Sequence, residues 1–195
     1  MNRNNRQNKN RMVSITAFII AAAGILLSLL LQMSPGWQMI KYMVLGWLLL
    51  AISIVDYRSM IIPDELLLAG LVCYVPVSLL NGEPFWQIAG AIVLQGCSVS
   101  VPLLLFVLLA DRITGRETMG FGDIKLFFLL GVYLGVAKAW LALFLACIAG
   151  LVCSLGVMLK NSGEPFPFAP SIAIGAWITV LWGQSLLEWY SGFLL

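Results

Sequence analysis

Seven apolar runs dominate the chain, at 12–33, 37–55, 65–81, 85–110, 124–137, 139–159 and 170–190. Most approach the roughly 20 residues that an α-helix needs to cross a bilayer. Hydrocarbon cannot hydrate loose backbone, so each run is expected to be helical. The breaks carry turn residues: Ser34-Pro35-Gly36, Asn81-Gly82-Glu83-Pro84 and Asn161-Ser162-Gly163-Glu164-Pro165. Of 195 residues, 61% are hydrophobic and 10% charged. A soluble domain has about 45–50% and about 25%, so an ordinary water-soluble globule is excluded. The expectation is an all-α polytopic membrane bundle of about seven transmembrane helices. Residues 1–11 form a basic cytoplasmic tail, and 12–195 a single membrane-embedded domain. The first run is longer than the apolar core of a signal peptide and lacks a small-x-small site before Pro35, so it reads as a retained helix. Pro102 inside the fourth run is expected to kink it.

The distribution of charge sets the topology. With the N-terminus in the cytoplasm, Arg3, Arg6, Lys9, Arg11, Arg58, Arg112, Arg116, Lys125 and Lys160 fall inside and only Lys41 and Lys138 fall outside. That asymmetry obeys the positive-inside rule. Trp37, Trp86, Trp140 and Trp189 all fall at the outer boundary, where indoles prefer to sit. The fifth run, 124–137, is short. At 1.5 Å per residue it spans about 21 Å against a hydrocarbon core of about 30 Å. One of its ends is therefore expected in a watered recess below the membrane surface.

The chain has no histidine, which excludes Ser-His and Cys-His catalysis and His-ligated zinc. Cys73, Cys97, Cys147 and Cys153 lie in apolar runs without a CxxC pair and read as small buried hydrophobes. A net charge of +2 gives no argument for nucleic acid.

Two cytoplasmic segments carry the chemistry that remains. SIVDYRSMIIPDE, 53–65, joins the second and third runs, and RETMGFGDIKL, 116–126, leads into the fifth. Asp56 closes one helix and Asp123 opens another at the same interface. Two carboxyls brought together divide the work of hydrolysis, one as base toward water and one as acid toward a carbonyl. Gly120 and Gly122 permit close approach of an extended peptide. Asp123, at a helix N-terminus near Lys125, is expected to hold its charge, and Asp56, at a C-terminus, to keep a proton. On that reading Asp123 is the resting base and Asp56 the resting acid. Either aspartate alone reads more readily as a solvated interfacial charge, and GFGD alone is a weak signal. Asp64 and Glu65 after Pro63 suit a helix start. Asp111, Glu117 and Glu164 read as solvated loop charges, and Gly131 and Gly135 as a helix-packing face.

Taken together, DYRSMIIPDE, GFGDIK and PFPFAP resemble the type IV prepilin peptidases, GxGD aspartyl proteases of the bacterial membrane. The resemblance covers roughly residues 40–190. It implies that Asp56 and Asp123 are the catalytic pair, with Arg58, Pro63, Asp64, Gly120, Gly122 and Lys125 in substrate-binding or supporting roles. Pro167 and Pro170 match a proline-bracketed segment ahead of the last helix, with Ala169 where the family commonly has glycine. The implied partners are prepilins or pseudopilins, cut at the cytoplasmic face of the cytoplasmic membrane to release a basic leader. Asp64, Glu65, Asp111, Glu117 and Glu164 supply negative charge for that leader. No metal or cofactor is expected. Larger members also N-methylate the new terminus with S-adenosylmethionine and carry paired CxxC motifs, which are missing here, so methylation is not expected. The competing reading from another class is a proton- or cation-coupled transporter using the same two aspartates. All predicted carboxylates, however, sit at interfaces and none near the midplane.

Overall fold

The computed structural model describes residues 23–24, 27–29, 36–116, 118–158 and 167–194. The tail 1–11 and most of the expected span 12–33 lie outside the described residues. The described chain is helical, with no strand among those residues: α1 Trp37–Ser59, α2 Asp64–Leu80, α3 Phe85–Thr114, α4 Phe121–Leu134, α5 Val136–Met158 and α6 Ala169–Leu194. The all-α class expected from the apolar runs is therefore observed. Among the described residues, four helices are long and apolar enough to cross a membrane: α1, α3, Val136–Leu155 of α5 and Ala169–Phe193 of α6. α2 has 17 residues and α4 has 14.

The short α4 is the centre of the bundle. Leu126, Phe127, Leu129, Leu130, Val132 and Tyr133 are all buried, and α4 packs against every other helix named above. A helix apolar on all sides is enclosed rather than laid against a surface. The Tyr133 hydroxyl donates to the Gly70 carbonyl of α2 at 2.8 Å, so its polar tip is satisfied inside this core. The outside is apolar too: Leu68, Phe106 and Leu151 are exposed. Such a surface requires lipid rather than water around it, as befits an integral membrane protein.

Glycine and alanine set how closely the helices approach. A side chain on Gly175 of α6 would meet the Ala146 amide nitrogen at 2.5 Å, with Ala142 behind it, so α5 and α6 touch backbone to backbone. Gly131 of α4 is a packing residue as expected, facing the Gln95 carbonyl and Gly96 of α3. Along α3 a π-helical turn, Ala91–Gln95, ends at this contact, while Pro102, the expected kink site, lies within the regular Gly96–Thr114 stretch. Gly135 differs from expectation. It does not continue a packing face but ends α4 at φ 80°, a backbone setting that favours glycine. The break between the fifth and sixth runs therefore falls at Gly135, not at 138.

Candidate active site

Asp56 sits in the last turn of α1 with 6% of its surface exposed. Its carbonyl accepts the Met60 N–H at 2.8 Å, where the chain leaves the helix through a left-handed residue, φ 53°. Its side chain crosses to another element: Oδ2 accepts the Ala169 N–H at 3.0 Å. Ala169 opens α6. The amides of Ser171 and Ile172 donate to the Phe168 carbonyl at 3.0 and 3.1 Å, and Pro170 has no N–H. The one donor left in this opening turn is the amide that Asp56 takes. A helix N-terminus carries unsatisfied donors and partial positive charge, so Asp56 lies at an end that supports an anion.

Asp123 lies in the first turn of α4, just ahead of the apolar run. Gly120 is the N-cap, with extended backbone, and its carbonyl accepts the Asp123 N–H at 3.1 Å. The Asp123 carboxyl reaches back to the Gly120 backbone, the reciprocal half of a capping box. Gly122 packs directly on the loop that follows Asp56: a Cβ there would stand 2.9 Å from the Ile62 Cβ. At Gly120 the nearest atom to such a Cβ is Asp123 Oδ2 at 3.6 Å, so glycine there keeps space open above the carboxyl. Burial first, and the charge of Asp56 second, push Asp123 up to about 6, with the Gly120 bond acting weakly the other way.

The rise at Asp123 runs against the expectation that its helix N-terminus favours the charged form. Each aspartate was assigned by the end of its own helix. The surroundings come from across the bundle instead: Asp56 reaches the N-terminal end of α6, while Asp123 is buried within reach of the charge of Asp56. The carboxyl at the N-terminus of α4 therefore binds its proton more tightly than an ordinary aspartate.

A second link joins the two motifs. Lys125 Nζ donates to both carboxylate oxygens of Asp64, at 2.7 and 2.8 Å. These side chains keep 54% and 69% of their exposure, so the pair acts mainly as a geometric tie. Pro63 caps α2, with Asp64 and Glu65 in its first turn. Arg58 is exposed in the last turn of α1 and forms no ion pair among the described residues. An apolar groove of about 530 Å³ runs between α2, α3 and α4, with Asp64, Glu65 and Lys125 at one end and Phe128 and Leu129 along it. Its α4 residues, Ile124, Lys125, Phe128 and Leu129, lie on the face opposite Asp123 at 100° per residue.

Asp111, expected as a solvated loop charge, lies instead in the last turn of α3, and its Oδ1 accepts the Thr118 N–H at 2.7 Å and the Thr118 hydroxyl at 2.6 Å. Glu117 and Glu164 lie outside the described residues. Sequence reasoning missed the Ala169 amide as a partner of Asp56. The signal was present in PFPFAP, because Pro167 and Pro170 bracket a helix start and leave only the Phe168 and Ala169 amides as donors between them. It missed the Ile62–Gly122 contact altogether.

A family model described as the type IV leader peptidase family matches residues 43–155. The prepilin leader peptidase/N-methyltransferase of Aeromonas salmonicida is 34% identical over 174 residues, covering 85% of this chain and 57% of its own length. The protein of the same name from Aeromonas hydrophila is 34% identical over 164 residues, covering 82% and 55%. That from Pseudomonas aeruginosa is 34% identical over 168 residues, covering 80% and 54%. The chain spans a little over half the length of these relatives. No solved structure matches it.

Proposed function

The chain belongs to the type IV leader peptidase family, and on that premise we propose that it is an aspartic endopeptidase that removes the basic leader from type IV prepilins or prepilin-like proteins. The observation that carries this reading is the meeting of Asp56 and Asp123. Two carboxyls from distant motifs lie close enough for the charge of one to raise the proton affinity of the other. Only one of such a pair readily ionises, and that asymmetry is what acid–base hydrolysis requires.

In the mechanism, Asp56 is the carboxylate held by the Ala169 N–H, and Asp123 carries the proton. Water between them attacks the scissile carbonyl carbon and passes its proton to Asp56. Asp123 protonates the carbonyl oxygen, giving a neutral gem-diol. In the collapse, Asp56 returns its proton to the leaving nitrogen as the C–N bond breaks, and a gem-diol hydroxyl re-protonates Asp123. Both roles are filled by carboxyls, so the reading asks for no metal or cofactor. It stops at hydrolysis and does not include methyl transfer. The excess of basic residues on the Asp56–Asp123 side supports a cytoplasmic position for the cut.

Co-expression with a prepilin-like substrate tests the proposal. Leader loss, seen as a gel shift, is expected for the native protein and abolished in both Asp56→Asn and Asp123→Asn. Cleavage that survives in either variant removes that residue from the pair.

A further inference from the structure

We infer that Asp111 is a positioning residue for Asp123: through Thr118 it fixes the loop that delivers the Gly120–Asp123 turn to Asp56. The inference rests on the peptidase reading for its kinetic consequence, but its structural part concerns Asp123 alone.

The chain leaves α3 at Gly115, φ 66°, whose N–H donates to the Asp111 carbonyl at 2.8 Å. The same residue then takes the far side of the loop, its Oδ1 accepting two donors from Thr118. Backbone and side chain of Asp111 therefore hold both ends of one short loop. Past Thr118 the path is determined in three steps. Met119 is half-buried and packs against the core, Gly120 caps α4, and Gly122 rests on Ile62. Asp123 follows at once.

A carboxylate in the last turn of a helix opposes the dipole of that helix. α3 also carries Arg112 in that turn, yet Asp111 forms no ion pair among the described residues. Its compensation is two short charge-assisted bonds, both directed into the loop. Lys125–Asp64 anchors α4 on its other flank. Asp123 thus stands between two ties, and Asp111 supplies the one that sets where its turn begins.

The consequence is readable at Asp123. The charge that acts on it is Asp56 on α1; Arg58 of α1, Asp64 and Glu65 of α2 and Lys125 of α4 itself are exposed. α3 adds Asp111, Arg112 and Arg116 at or beyond its end. The described charges of α5 and α6, Lys138 and Glu188, lie toward their opposite ends. Releasing the loop lets Asp123 move toward water and away from Asp56, which removes the two causes that favour its protonated form.

The test modifies Asp123 with a water-soluble carbodiimide and glycinamide in the full chain in micelles, read by peptide mass spectrometry from pH 4 to 8. The reaction requires a protonated carboxyl, so labelling falls as Asp123 ionises. In Asp111→Ala the midpoint should move to lower pH, and kcat for a prepilin-like substrate should fall about tenfold with KM little changed, as expected when a reacting group is misplaced. Asp111→Asn keeps an acceptor and should restore both. Thr118→Val, which loses one of the two bonds, should shift the midpoint less and in the same direction; it serves also if Asp111→Ala does not fold. A midpoint unmoved in these variants, or a shift not restored by Asp111→Asn, overturns the inference. A native protein that cleaves nothing overturns the peptidase reading instead, and the labelling midpoints still decide the role of Asp111.

Discussion

Asp123→Asn should stabilise the protein at neutral pH while destroying its proposed activity. Burial and the facing Asp56 raise Asp123 from the ordinary 3.8 to about 6. At about 1.4 kcal/mol per pH unit that difference corresponds to about 3 kcal/mol. The sign follows from linkage. A carboxyl with a raised folded-state pKa favours the folded state fully only below its unfolded value. The advantage declines as pH rises from about 4 and is gone above about 6. At pH 8 the native chain therefore holds a charge that folding disfavours, and asparagine removes it. Mixed-micelle unfolding followed by tryptophan fluorescence should show the stability difference, variant minus native, growing by about 2–3 kcal/mol between pH 4 and pH 8. A difference that stays constant across this range would refute the claim that Asp123 is the strained carboxyl. A difference that shrinks would mean that folding lowers the Asp123 pKa, the opposite of the sign argued here.

Gly122→Ala places a Cβ 2.9 Å from the Ile62 Cβ, a branch point with no flexible end to yield. It should destabilise the fold by about 1–3 kcal/mol and lower leader cleavage; unchanged stability and cleavage in unfolding and gel-shift measurements would contradict this contact. The Asp64–Lys125 pair is short but exposed. A double-mutant cycle with Asp64→Ala and Lys125→Ala should therefore give a coupling below about 1 kcal/mol, weaker still in high salt; a salt-independent coupling of several kcal/mol would contradict its surface character.

The apolar runs made the fold class legible because hydrocarbon admits so few backbone solutions. Helix starts at 37, 64 and 85 were marked by Gly36, Pro63 and Pro84, whose effects are local. Gly135 was misread because GVYLG looks identical whether the second glycine packs or turns; only the course of α5 decides, and that is a tertiary fact. The same limit governs the two aspartates. From sequence, each carboxyl can be weighed only against the dipole of the helix that carries it, a contribution of roughly 0.3–1 kcal/mol. Burial of Asp123 beside another carboxylate is worth about 3 kcal/mol, and the amide that Asp56 accepts belongs to a helix that begins at Ala169. The larger effects come from partners distant in the chain, so the helix that carries each aspartate was a poor guide to its surroundings. Where two titratable groups sit at helix ends in an enclosed bundle, the informative question is whose N-terminus each one faces, and PFPFAP was the part of this sequence that held the answer.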